Sequence, residues 1–217
     1  MKMLILSAKS YTPQGPNYGD CILIDTGSAL VVYDCGCEEH AQRVEAYMST
    51  NGYSKSIVVL SHNDADHFEG IPYLVEKGLV SKVYTQLFLK HKEDILELLD
   101  DGRATDHSIG ERIKKVYDNI ASLSKRVTLV DALTAGEIVP GVTIVGPTED
   151  YALDTIRKAL DSNESDRIDA ETVINAASIQ VSVDFNQTQC LLCGDASFEA
   201  IKDKLDDYML IQLPHHG

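Results

Sequence analysis

The chain has 217 residues, enough for one core-forming domain, and 19 Lys+Arg against 34 Asp+Glu leave a formal net charge of −15. With 44% hydrophobic and 24% charged residues, the composition excludes collagen, a coiled coil and a disordered tail. The acidity also excludes a uniformly basic nucleic-acid-binding surface, though not a local basic groove.

Met1–Leu6 is apolar for too short a stretch to be a secretory or membrane segment and turns polar at Ser7, Lys9 and Ser10. A secretory core needs about 7–15 apolar residues and a membrane span about 20, so no membrane insertion is expected. The five cysteines, Cys21, Cys35, Cys37, Cys190 and Cys193, are an odd number in a chain able to fold without disulfides. They favour a reduced, cytoplasmic compartment.

In chain order, Met3–Ser7, Asp20–Asp25 and Ala29–Tyr33 read as strands of an antiparallel meander, the first two joined by a Gly/Pro-rich loop. Glu38–Asn51 has helical spacing and stops at Asn51-Gly52. Ser56–Leu60 is a buried strand that runs into a polar loop. A helix is predicted over Phe68–Lys77, then a strand over Val80–Thr85, then two helices over His91–Asp101 and Ser108–Leu123. Val127–Val130 and Val142–Val145 follow as strands, Pro147–Leu160 as a helix, and Asp161–Glu171 as an acidic, mobile loop. Ser178–Phe185 and Gln189–Cys193 pair around Asn186-Gln187, Ser197–Leu205 is helical, and Met209–Leu213 is the last strand. Meanders interleaved with helices indicate a layered α/β protein and not a doubly wound sheet. There is no G-x-G-x-x-G or Walker A pattern to support a nucleotide cofactor.

Cys190-Leu191-Leu192-Cys193 has C-x-x-C spacing, but residues three apart on a strand face opposite sides, which makes these core cysteines and not zinc ligands. The chemistry is concentrated instead in Ser61-His62-Asn63-Asp64-Ala65-Asp66-His67, directly after a buried strand. Four metal-competent side chains this close repel or stay solvated unless a cation neutralises them. Mixed imidazole and carboxylate donors suit divalent ions. Helix capping by Asp64 or Asp66 would explain one carboxylate and neither histidine. A second cluster is Cys193-Gly194-Asp195, a strand ending on a carboxylate, followed by His215-His216-Gly217.

The order Asp34-Cys35-Gly36, Ser61 to His67, Cys193-Gly194-Asp195 and His215-His216-Gly217 resembles the metallo-β-lactamase superfamily, whose signature is H-x-H-x-D-H. Asp64 replaces the second histidine. The resulting H-x-D-x-D-H is similar to the hydrolase domain of ComEC-type DNA-uptake proteins and to the phosphorylcholine esterase group. Gly19-Asp20-Cys21-Ile22-Leu23-Ile24 and Asn175-Ala176-Ala177-Ser178 extend the likeness, which runs from about residue 18 to the end, with a less familiar helical insertion near 90–125.

The resemblance implies a four-layer αββα sandwich in a single domain over residues 1–217. It further implies a native polypeptide that continues past Gly217 with more strands and a helix. His62 and Asp64 would hold one ion, Asp66 and His67 a second together with His215 or His216, and Asp195 would bridge them. Asp34 would orient the metal loop. The family's third histidine is absent, with Asn175 and Ser178 in its region, which shifts the donors toward oxygen. Zinc is then favoured only narrowly over manganese. The implied reaction is hydrolysis by a hydroxide shared between the two ions. His215 or His216, whichever is not a ligand, would protonate the leaving group or bind a substrate oxygen.

A phosphodiesterase or nuclease is the first expectation. A small-molecule ester, thioester or lactone hydrolase is the alternative, and an inactive assembly domain the third. Against a DNA substrate stands the charge. Lys82, Lys90, Lys92, Lys114-Lys115 and Lys125-Arg126 form either a local basic strip or ordinary solvated faces, and a partner protein or a C-terminal continuation could supply the grip instead.

Overall fold

The computed structural model describes residues 1–6, 20–91, 93–95, 118, 120–161, 167–168, 171–185 and 188–214. A six-stranded sheet is built in sequence order from β1 (Lys2–Ile5), β2 (Ile22–Asp25), β3 (Leu30–Tyr33), β4 (Ser56–Val59), β5 (Val80–Thr85) and β6 (Thr128–Asp131). The first three strands form the antiparallel meander, and β3 to β6 run parallel. A second sheet comprises β7 (Glu137–Val139), β8 (Val142–Gly146), β11 (Gln180–Phe185), β12 (Thr188–Leu192) and β13 (Leu210–Ile211), in the order β13-β12-β11-β8-β7. It is antiparallel except for β12 with β13.

The strands of the first sheet are apolar on both faces because both are covered. Ile22, Ile24, Val31, Tyr33 and Val59 point inward and meet Val142, Ile144, Val181, Val183, Cys190 and Leu192 of the second sheet. Their neighbours Leu23, Leu30, Val32, Val58 and Val83 point outward. There they pack with Ala41, Val44 and Met48 of α1 (Glu38–Asn51), with Ile71, Leu74 and Val75 of α3 (Ile71–Glu76), and with Ala152, Leu153 and Ile156 of α4 (Glu149–Asp161). On the far face of the second sheet, Leu191 and Cys193 pack with Ala196 and with Ile201 of α6 (Phe198–Ile201). Helices, sheet, sheet and helix give the layered αββα architecture. Cys190 and Cys193 face opposite sides of β12's sheet and are both buried, as period-two alternation demands.

Several expectations are corrected. The helix predicted over Phe68–Lys77 is two, α2 (Ala65–Phe68) and α3, because the chain turns at Gly70, whose N–H donates to Cys35 O at 2.7 Å. The Asp161–Glu171 segment carries part of an antiparallel ribbon, β9 (Arg167–Ile168) with β10 (Glu171–Thr172), leading into a short α5 (Val173–Ala176). Ser197 caps α6 by accepting the Ala200 N–H, but only four residues are α-helical before a 3-10 turn over Lys202–Asp207. The final strand is two residues long. The two helices expected between 91 and 123 fall largely outside the described residues, as does the turn at 186–187. Within the described part, Phe88–His91 is a 3-10 turn. Among the described residues, no helix is long and apolar enough to cross a membrane.

Candidate metal centre

The centre forms where the carboxyl ends of β3 and β4 meet the end of β12 from the opposite sheet. Just past β3, Asp34 takes a left-handed φ of 56°. Its N–H donates to Val59 O at 2.9 Å, and its side chain is fully buried. The carboxylate accepts the Ser61 N–H (2.7 Å) on one oxygen and the Ser61 hydroxyl (2.7 Å) on the other. That second oxygen also lies 2.8 Å from His67 Nδ1, which must donate to it. The His67 Nε2 lone pair is thereby directed away from Asp34.

The hydrogen bonds fix the tautomer of His62 as well. Its Nδ1 lies 3.0 Å from Ser61 Oγ and 3.2 Å from Ser178 Oγ. The Ser61 hydroxyl proton is already given to Asp34, and that of Ser178 goes to Asn175 O at 2.8 Å. Both serines therefore accept, Nδ1 carries the proton, and Nε2 presents its lone pair. That Nε2 faces Asp64 Oδ2 at 3.8 Å and Asp195 Oδ2 at 3.9 Å, while His67 Nε2 faces Asp195 Oδ1 at 3.4 Å. The two rings are 4.1 Å apart between centroids.

Asp195 reaches this point through Gly194, which has φ +53°. A Cβ on Gly194 would come 2.7 Å from Ser61 Cβ and 3.2 Å from Ser178 Cβ, so only glycine lets the two sheet ends approach this closely. Asp195 is then held by its N–H to Ser178 Oγ (3.2 Å) and by Asn175 Nδ2 to its Oδ2 (3.4 Å). The sheets are tied beside it through the backbone of a single residue: Ile179 N–H donates to Ser61 O (2.9 Å), and Ile179 O accepts the Tyr33 hydroxyl (2.7 Å).

Of the residues singled out in the sequence, His62, His67 and Asp195 offer donor atoms within 4.8 Å of one another, all buried. Asp64 occupies the N-cap position of α2 but makes no side-chain cap bond; its carboxylate turns toward His62 instead. Burial, and then the charge of Asp66, push the Asp64 carboxyl up, while an Asn175 hydrogen bond opposes this. Asp66 is in the first turn of α2, half-buried, and does not join the group of three. Asn175 and Ser178 both contact ligand-competent side chains. His215 and His216 lie outside the described residues. Sequence reasoning gave no role to Ser61, whose hydroxyl joins Asp34 to His62.

The donor set fits a cation. Two imidazole lone pairs and a carboxylate converge in a buried space, an arrangement that is repulsive without positive charge. In the metal-free protein a proton fills that need: burial disfavours a charged His67, but Asp34 and Asp195 outweigh it and raise its pKa to about 11. A carboxylate behind the imidazole and lone pairs aimed at a common point are the usual supports of a metal-ligating histidine.

No curated protein matches the chain. Among solved structures it is similar to a metallo-β-lactamase-like protein of Thermotoga maritima, at 15% identity over 89% of this chain and 78% of the other, with TM-score 0.48. It is also similar to the metallo-β-lactamase fold protein YhfI of Bacillus subtilis, at 11% identity over 89% and 61%, TM-score 0.48. A third is a quorum-quenching N-acyl homoserine lactone lactonase, at 15% identity over 98% and 88%, TM-score 0.46. Residues 14–217 match the family model described as the metallo-beta-lactamase superfamily, so the chain belongs to that superfamily.

Proposed function

We propose that the protein is a hydrolase that uses two divalent ions, zinc ahead of manganese, to cleave phosphodiesters. The observation that carries the two-ion reading is Asp195, which turns one carboxylate oxygen toward each histidine, 3.9 Å from His62 Nε2 and 3.4 Å from His67 Nε2. His62 and Asp64 with one Asp195 oxygen would hold the first ion. His67 with the other oxygen, joined by Asp66 and one of His215 or His216, would hold the second.

When bound, such a pair supplies an activated water and Lewis-acid stabilisation of the charge that develops in an in-line displacement. The remaining work falls to the chain. Asp34 keeps the His67 proton on Nδ1, Ser61 and Ser178 keep the His62 proton on Nδ1, and Asn175 Nδ2 donates to the Asp195 oxygen that faces His62. The carboxylate of Asp64 in place of an imidazole makes the first position richer in oxygen. This favours harder cations, and it is the feature on which the likeness to the ComEC-type and phosphorylcholine esterase groups rests.

At a net charge of −15, small phosphodiesters and short single strands suit this chain better than long duplex DNA. A partner protein or further polypeptide would have to supply any extended nucleic-acid grip. The test is turnover of bis-p-nitrophenyl phosphate and of single- and double-stranded DNA in Zn²⁺ or Mn²⁺, beside an ester and a lactone. Phosphodiester turnover that is lost in Asp195→Asn is the expected result. Ester or lactone turnover without phosphodiester turnover overturns the substrate assignment.

A further inference from the structure

A second gathering of donors lies away from this centre, at the end of β6. Asp131, 4% exposed, closes that strand. One of its oxygens is fixed by the backbone N–H groups of Leu133 (3.3 Å) and Leu87 (3.5 Å), and the other lies 2.8 Å from His91 Nε2. His91 ends the 3-10 turn over Phe88–His91 and is 7% exposed. Its other nitrogen, Nδ1, faces Glu149 Oε1 at 3.0 Å and Asp94 Oδ2 at 3.9 Å. The donor atoms of His91, Asp94 and Glu149 all lie within 4.8 Å of one another.

The pattern repeats the construction at His67, where a buried aspartate 2.8 Å behind the ring orients it. With the Nε2–H given to Asp131, the Nδ1 lone pair points at two carboxylates that arrive from separate segments, the helical residues 93–95 and the start of α4. Three acceptors then converge on one point at the surface, where the Asp94 and Glu149 side chains are 61% and 46% exposed and open to entering ions.

We propose that His91, Asp94 and Glu149 form a further divalent-cation site, with Asp131 as the positioning residue for the imidazole. One nitrogen and two carboxylate donors suit a borderline ion such as Zn²⁺ or Mn²⁺, with waters completing its coordination. Donors around a tetrahedral zinc at about 2.0–2.1 Å sit roughly 3.3 Å apart, close to the 3.0 and 3.9 Å found here. The site is distinct from the first centre, because β6 is two strands from β4, about 10 Å at the usual strand spacing. An ion there would pin the Phe88–His91 turn and the start of α4 to the end of β6. The competing account is a closed contact of His91 with Asp131 and Glu149 alone, in which case no ion is bound.

Equilibrium dialysis of the full chain against Zn²⁺, read as metal equivalents per chain, decides between the two. The double variant Asp94→Asn with Glu149→Gln alters exposed side chains and leaves buried His91 intact. It is expected to bind one equivalent fewer than the parent, or to bind that equivalent at least tenfold more weakly. Asp195→Asn is expected to keep this equivalent while losing binding at the first centre. Unchanged stoichiometry and affinity in the double variant overturn the proposal. So does the absence, in the Asp195→Asn protein, of any bound Zn²⁺ that the added Asp94 and Glu149 substitutions remove.

Discussion

Replacing Gly194 by alanine tests how tightly the candidate metal centre depends on the approach of the two sheets. The new methyl would sit 2.7 Å from Ser61 Cβ and 2.8 Å from Ser61 Oγ, against ordinary contacts of 3.4 Å and more. Neither neighbour is a flexible chain end, and Ser61 is held by Asp34 through both its N–H and its hydroxyl. Two costs add: about 1–2 kcal/mol for an L-residue in the left-handed region, and about 1–3 kcal/mol for overpacking. Gly52→Ala isolates the first cost, since Gly52 has φ +77° at the end of α1 and nothing within 4 Å of its Cβ direction. Urea denaturation of metal-stripped protein should therefore show Gly194→Ala less stable than Gly52→Ala by about 1–3 kcal/mol. Zn²⁺ affinity should fall roughly 10- to 100-fold in Gly194→Ala alone, as when the groups supporting metal ligands are disturbed. Equal destabilisation of the two variants, or unaltered Zn²⁺ binding by Gly194→Ala, would refute the reasoning.

Stability of the stripped protein should depend on pH through His67. Its folded pKa of about 11 lies above the ordinary value of 6.5, so its contribution is complete below about pH 6.5 and is lost as pH rises through 11. Urea midpoints measured across that window should fall in stripped protein and much less in the metal-loaded form, whose cation replaces the proton; parallel profiles would contradict this. Ser178→Ala removes the hydroxyl shared by His62, Asp195 and Asn175 and should weaken Zn²⁺ binding about 10- to 100-fold in competition with a chelating dye. Tyr33→Phe leaves the Ile179 carbonyl without its 2.7 Å partner and should cost about 1–3 kcal/mol by denaturation, with the fold retained in circular dichroism.

Legibility in the sequence followed distance along the chain. The strands of both sheets alternate with period two or run continuously apolar, which made β2 to β5, β11 and β12 readable, and α1 carries its apolar face at Ala41, Val44 and Met48. The short elements β7, α5 and the ribbon of β9 and β10 hold two to four residues each, too few for any periodicity. His62, Asp64 and His67 stand out because six residues contain them. Ser61 was passed over because its value lies in contacts with Asp34, 27 positions away. The His91 group is hidden for the same reason: only Asp94 is near it in the chain, while its imidazole meets Asp131 across 40 positions.

Ile179 joins the sheets through both its N–H and its carbonyl and directly follows Ser178, so the spacing of the metal donors is set by residues that carry no donor atoms. Val59, Val181 and Val183 fill the layer between the sheets. A methylene added or removed there would move Asp195 relative to His62 and His67 without touching any of them. Substitutions that retune metal preference or turnover are therefore to be sought in this apolar layer as well as around the ions. A lineage could drift in reactivity through silent-looking exchanges of valine for isoleucine or leucine while every ligand stayed in place.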